Sequence, residues 1–97
     1  MSITQTNQWN EGDTVYKQYN LSITNNSDKP IKSLKIEASN FTIKDIWNLL
    51  LLNNNEPRIL SLPTWMTDNN SFQKGVTREA GFVTSSQPTF KIIEIVN

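Results

Sequence analysis

The sequence predicts an all-β protein, a single antiparallel β-sandwich of about seven or eight short strands. Three observations lead to this fold class. Apolar and polar residues alternate over short segments, which is the pattern of half-buried strands. Clusters of Asn, Asp, Gly, Ser and Pro, which favour turns, separate these segments. No segment carries the longer periodicity of an extended amphipathic helix.

The clearest predicted strand covers residues 14–24. One of its faces is mostly apolar and consists of Val15, Lys17, Tyr19, Leu21 and Ile23. The opposite face is mostly polar and consists of Tyr16, Gln18, Asn20, Ser22 and Thr24. A strand of this kind buries one face and leaves the other in water.

The remaining elements follow from the same pattern and from the turn residues between them. The other predicted strands cover residues 2–8, 31–38, 41–43, 48–52, 58–62, 79–83 and 90–96. Residues 10–13 form a turn, and residues 53–57 form the polar loop of a hairpin. Residues 49–52 also fit one turn of a buried helix, because four residues do not fix a periodicity. Gly81 indicates a bulge or a close contact within its strand.

A modest core can be filled from the apolar residues of these strands without any tryptophan. The candidates are Ile3, Tyr19, Leu21, Ile23, Leu34, Ile36, Phe41, Ile43, Ile46, Leu50, Leu60, Leu62, Phe72, Phe82, Phe90, Ile92 and Ile95.

Length and composition limit the possible functions. At 97 residues we expect one domain over 1–97. If the protein is secreted, we expect this sequence to be a mature or excised piece of it, with Met1 as an added start residue. Its 9 basic and 9 acidic side chains balance, so we expect neither nucleic acid nor membrane as a partner. The absence of His and Cys excludes imidazole or thiolate metal sites and disulfides. We expect no cofactor, no catalytic residues and a monomeric module.

Trp9, Trp47 and Trp65 are the candidate binding residues. Ile46 and Trp47 are adjacent, so on a strand they face opposite sides, and an inward Ile46 leaves Trp47 outward. Trp65 follows Pro63 at the end of a strand, where a ring can lie along the surface. Exposed indole rings suit carbohydrate, because the C–H groups of a pyranose face pack against them and polar neighbours bind its hydroxyls. The alternative is a protein-interaction sandwich, immunoglobulin-like or fibronectin-like, with the tryptophans in its core.

The chain resembles carbohydrate-binding module family 49 over nearly its whole length. Three pieces carry the resemblance: Ile3-Thr4-Gln5 leading to Trp9; Tyr19-Asn20-Leu21-Ser22-Ile23-Thr24-Asn25, a turn and Ile31-Lys32-Ser33-Leu34-Lys35-Ile36; and Ile46-Trp47-Asn48-Leu49 followed by Leu62-Pro63-Thr64-Trp65. It is also similar to the bacterial cellulose-binding family 2. The resemblance implies a β-sandwich that binds crystalline cellulose through Trp9, Trp47 and Trp65.

The similarity to family 2 also implies polar side chains beside the rings. They fall at Asn20 and Asp45, whereas Val83 stands where that family has a further amide, and its disulfide is missing here. We therefore expect a carbohydrate-binding site made of Trp9, Trp47, Trp65, Asn20 and Asp45. The expected partner is cellulose or a related β-1,4-glucan.

The resemblance implies a secreted, extracellular module of a cell wall or matrix. N-glycosylation motifs at Asn20, Asn25, Asn40 and Asn69 fit that location, although an Asn-rich chain carries several such motifs by chance. A glycan on Asn20 would crowd the expected binding site.

Overall fold

The computed structural model describes all residues 1–97 and contains eight strands in two four-stranded antiparallel sheets. The strands are β1 (Ser2–Glu11), β2 (Thr14–Thr24), β3 (Ser33–Ser39), β4 (Ile43–Trp47), β5 (Leu50–Asn53), β6 (Arg58–Ser61), β7 (Thr77–Thr84) and β8 (Thr89–Val96). The first sheet, sheet A, has the order β1-β2-β7-β4, and the second, sheet B, has the order β5-β6-β3-β8. The predicted antiparallel sandwich is confirmed.

The β1–β2 hairpin is longer than the sequence predicted. Its strands pair as far as Glu11 opposite Thr14, which leaves only Gly12 and Asp13 in the turn. Gly12 adopts a φ of 61°, a left-handed conformation that glycine reaches without strain. In β2, Leu21 and Ile23 are buried as the alternation predicted. The alternate residues of β2, such as Asn20 and Ser22, therefore point to the outer face of sheet A.

The predicted hairpin of residues 48–52 and 58–62 is confirmed as β5 paired antiparallel with β6. The alternative of a buried helical turn is wrong. Leu50, Leu51 and Leu52 are each at least 39% exposed, because β5 is an edge strand of sheet B. The buried leucine of this segment is Leu49, which precedes the strand.

The core lies between the two sheets and is centred on aromatic rings. Phe82 of sheet A contacts Phe90 of sheet B at 4.9 Å between ring centroids, and Phe41 lies 5.1 Å from Phe82 and 5.3 Å from Phe90. Tyr19 stacks on Phe82 at 5.2 Å. Aromatic pairs at these distances add to the free energy gained from apolar burial, so this cluster links the two layers.

Most of the predicted core is buried or packed against the buried cluster, but three members are exposed. Ile3, Leu50 and Ile95 are 39%, 44% and 49% exposed. They lie on β1, β5 and β8, which are edge strands whose side chains the opposite sheet covers poorly. Further buried residues that the sequence reading did not include are Ile31, Ala38, Leu49, Met66, Ala80 and Val83.

Asn25 is a buried polar residue that organises the turn after β2. It is 1% exposed. Its Nδ2 donates to the carbonyl oxygens of Lys29 and Phe72, both at 2.9 Å. Its Oδ1 accepts from the backbone N–H and the hydroxyl of Ser27. Every polar atom of this side chain is therefore paired, as burial requires.

We expect Asn25→Ala to lower the free energy of unfolding by about 1–3 kcal/mol, because buried carbonyls of the turn would lose their donor. Chemical denaturation measures the change. The matched control is Asn26→Ala at the exposed neighbouring position, which should stay within about 0.5 kcal/mol of the parent. Equal denaturation midpoints for Asn25→Ala and the parent would contradict the structural role of this amide.

The connection from β6 to β7 contains the only helical turns. They are two 3₁₀ turns of three residues each, Thr64–Met66 and Asp68–Asn70, in a region that the sequence predicted as a loop. Met66 is buried and fixes the first turn to the core. Neither turn has the length or apolar character that a membrane-crossing helix needs.

Candidate functional site

The outer face of sheet A collects four of the five predicted site residues. In the strand register, Asn20 of β2 lies opposite Gly81 of β7, and Gly81 lies opposite Trp47 of β4. Residues directly opposite in an antiparallel sheet project from the same face. Asp45, two residues before Trp47, projects from that face as well. Asn20, Gly81 and Trp47 thus form one transverse strip across the sheet, with Asp45 beside it. Trp9, the fourth of these site residues, lies on the same face and is described below.

Trp47 lies over Gly81 with no room for a side chain beneath it. A Cβ atom built on Gly81 would overlap three atoms of the indole ring, Cζ2, Cε2 and Nε1. Gly81 is consequently buried, while Trp47 keeps 36% of its surface exposed. Ile46 packs against the core, so the predicted outward direction of Trp47 is confirmed. The close contact expected at Gly81 is this seat for the indole.

Trp9 lies on β1 opposite Tyr16 of β2. The two ring centroids are 6.2 Å apart with an angle of 34° between the ring planes. The Nε1–H of Trp9 donates to Oε2 of Glu11 at 3.2 Å. Trp9 is half-buried, and Tyr16 belongs to the outward row of β2, so Trp9 shares the outer face of sheet A.

Trp65 is the most exposed tryptophan, at 57%. It lies on the first 3₁₀ turn between two buried anchors, Leu62 and Met66, and the guanidinium of Arg78 donates to the Met66 carbonyl at 3.2 Å. The β5–β6 hairpin relates Trp65 to Trp47. Trp47 shortly precedes β5 and Trp65 shortly follows β6, so both residues lie near the open end of this hairpin.

Asn20 and Asp45 offer polar groups beside Trp47. Nδ2 of Asn20 donates to the hydroxyl of Ser22 at 3.4 Å, and this hydroxyl donates to Glu79 at 3.5 Å. Asp45 is exposed, and its Oδ1 accepts the N–H of Ile46 at 2.9 Å. Val83, which lies opposite Asp45, is only 4% exposed. The strip therefore carries amide, hydroxyl and carboxylate groups around one indole ring.

The sequence reading missed a charged pair that borders Trp9. Nζ of Lys44 lies 2.9 Å from Oε2 of Glu11 and 4.4 Å from the centroid of the Tyr16 ring. Hydrogen bonds from Lys44 and then from Trp9 lower the pKa of Glu11 below its ordinary value. The hydrogen bond to Glu11 raises the pKa of Lys44. Glu11 lies within the predicted turn of residues 10–13, but in the structure it is the last residue of β1 and is paired with Lys44.

The structure distinguishes the N-glycosylation motifs by exposure. The Asn25 amide is buried and uses both its nitrogen and its oxygen in hydrogen bonds, so a glycan has no space there in the folded chain. Asn20 is half-buried on the same strip as Trp47. Asn40 and Asn69 are exposed and lie in turns with φ near 55°. Only the last two motifs leave both the fold and the strip around Trp47 undisturbed.

Residues 1–86 match the family model described as carbohydrate binding domain CBM49. The chain belongs to this family. The match includes Trp9, Trp47 and Trp65 with the strip around Trp47, and it ends before β8, which completes sheet B. The family consists of non-catalytic carbohydrate-binding modules, so the partner of this module is a carbohydrate. No curated protein matches the chain. No solved structure matches it either.

Proposed function

We propose that this module binds cellulose, in particular crystalline β-1,4-glucan, through a flat surface row of Trp9, Trp47 and Trp65. Asn20 and Asp45 hydrogen-bond the hydroxyls at the rim of the sugar rings. The module anchors a larger secreted protein to a cellulose-containing cell wall or extracellular matrix.

The observation that carries this proposal is the Trp47 ring held over Gly81 on an open sheet face. An indole fixed in this way offers its outer side to a flat ligand. A ring inside a cleft would instead suit a single soluble glucan chain. The C–H face of a glucose unit suits that apolar surface. Trp9 and Trp47 lie on β1 and β4, which are three strand spacings apart, or roughly 14 Å at about 4.8 Å for each spacing, so the two rings can contact different glucose units of a glucan surface.

The amount of exposed aromatic surface favours this function over a sandwich with its tryptophans in the core. Trp47 and Trp65 keep 36% and 57% of their surface in water, and the phenylalanine cluster fills the core without them. The alternative in which all three rings are core residues is therefore wrong for these two. Exposed apolar rings beside polar groups are the usual composition of a binding surface.

Depletion of the module from solution by microcrystalline cellulose tests the proposal, with chitin and xylan in parallel. We expect retention on cellulose that exceeds retention on the other two polymers. Competition by soluble cello-oligosaccharides then separates the two forms of glucan, because a row that requires a crystal face is displaced only weakly by single chains. Retention on chitin or xylan but not on cellulose would contradict the proposal and identify that polymer as the ligand. Retention on none of the three would also contradict the proposal.

A further inference from the structure

Lys44 owes its position to a bulge in β4. Ile43 lies opposite Thr84 and Asp45 lies opposite Val83, so Lys44 is an extra residue without a partner in β7. Ile43 and Ile46 pack against the core, which leaves Lys44 and Asp45 adjacent and both on the outer side of sheet A. Bulges commonly re-aim a side chain in this way. A regular β4 could not present two neighbouring residues on one face.

The Lys44–Glu11 pair joins the two edges of sheet A. β1 and β4 are the outermost strands, separated by β2 and β7. The pairing of β2 with β7 ends at Lys17 opposite Thr84, so the hairpin tip that contains Trp9 extends beyond β7. The ion pair of 2.9 Å crosses this gap and attaches the overhanging tip to the strand that carries Trp47.

Trp9 depends on this attachment for its orientation. β1 is an edge strand whose residues are nearly all exposed, so packing alone supports the ring weakly. Its two specific contacts are the hydrogen bond to Glu11 and the tilted contact with Tyr16. Lys44 contacts both of these partners, through the carboxylate of Glu11 and over the ring of Tyr16. Removal of the ammonium group would release the two supports of Trp9 together.

We propose that Lys44 is a positioning residue, which acts through Glu11 and Tyr16 to fix the ring of Trp9 relative to Trp47 on the binding face. The inference rests on the proposed function, because it gives Trp9 a role in glucan binding. Lys44 itself does not contact the sugar. Its ammonium group is already bound to the carboxylate of Glu11 and lies over the ring of Tyr16. Binding of the glucan weakens only when this pair is broken.

The pair gives the positioning a pH and salt dependence. Glu11 has a lowered pKa when folded, so the attachment is complete at neutral pH and is lost as pH falls through that lowered pKa. The other titratable groups nearby are Tyr16, which lies under Lys44, and Asp45, whose charge also acts on Lys44. Salt screens an exposed pair, so added salt weakens the attachment.

The test compares Lys44→Met and Glu11→Gln with the parent, and with Lys74→Met as the matched control. Lys74 forms an exposed ion pair with Asp28 at 2.8 Å, and both residues lie in loops outside the strands of sheet A. We expect Lys44→Met to weaken binding to microcrystalline cellulose roughly two- to five-fold, as exposed pairs of this kind do, and Lys74→Met to leave it unchanged. The parent should lose affinity in about 0.5 M salt and at acidic pH, and Lys44→Met should lack this extra loss.

Trp9 fluorescence reads the attachment without any ligand. In a background with Trp47→Phe and Trp65→Phe, we expect Lys44→Met to shift the Trp9 emission to the red and to increase its quenching by acrylamide. Unchanged emission together with unchanged binding would overturn the inference. Weaker binding with unchanged emission would assign Lys44 a direct contact with glucan and would also overturn it. Failure of the parent to bind cellulose contradicts the proposed function, and the emission still decides whether Lys44 orients Trp9.

Discussion

Trp65→Ala is expected to weaken binding to crystalline cellulose on the order of 50-fold while the fold is retained. Covering about 100 Å² of one indole face, at roughly 25 cal/mol per Å², is worth about 2.5 kcal/mol. The ring is 57% exposed, and the neighbouring anchors Leu62 and Met66 stay in place when it is removed. Adsorption isotherms on microcrystalline cellulose measure the loss of affinity.

The control for Trp65→Ala is Ile93→Ala, which removes a large apolar side chain that is 44% exposed on β8 of sheet B. We expect its binding to equal that of the parent, since sheet B lies away from the strip around Trp47. Thermal unfolding separates a binding effect from a folding effect. A core tryptophan replaced by alanine costs about 3–5 kcal/mol of stability, and a loss of that size in Trp65→Ala would contradict the surface role.

Gly81→Ala is expected to weaken cellulose binding about tenfold or more, although no aromatic residue is replaced. The added methyl group would overlap the indole of Trp47, so the ring must leave its seat. A displaced ring no longer lies over Gly81 and loses part of the apolar area that it offers to the ligand. The φ of Gly81 is not in the left-handed region, so alanine itself fits the backbone of β7.

A double-mutant cycle shows whether the effect of Gly81→Ala acts through Trp47. In a Trp47→Ala background the seat is empty, and Gly81→Ala should cause no further loss of binding. There it should even raise stability slightly, because a glycine inside a strand gives up more conformational freedom on folding. Additive losses of binding from the two substitutions would contradict the proposed seat.

Sequence alone was sufficient for the fold class and for the faces of individual strands. The alternation in residues 14–24 placed Leu21 and Ile23 inside and Asn20 outside, because a strand has a fixed period of two. The same rule placed Trp47 on the outer face of the sheet, because its neighbour Ile46 faces the core. Proline at position 63 and the polar residues 53–57 marked where strands end, since these residues restrict the backbone locally.

Sequence could not identify which strands form the edges of the sheets. Ile3, Leu50 and Ile95 were assigned to the core because they are apolar and lie in strands, yet all three are exposed on edge strands. An edge depends on the order of strands in a sheet, which contacts between distant parts of the chain decide. The exposed leucines of β5 illustrate this, because their apolar character fitted a buried helical turn equally well.

The sequence by itself determined that Trp9, Trp47 and Trp65 are the candidate binding rings and that a β-sandwich carries them. Only the tertiary structure decided how two of the rings are held. Gly81 receives Trp47 because β7 and β4 pair in one register. Lys44 reaches Glu11 because a bulge turns it outward and the β1–β2 hairpin extends past β7. Both contacts join residues that are far apart in the chain, and packing between strands sets their register, which no local pattern encodes.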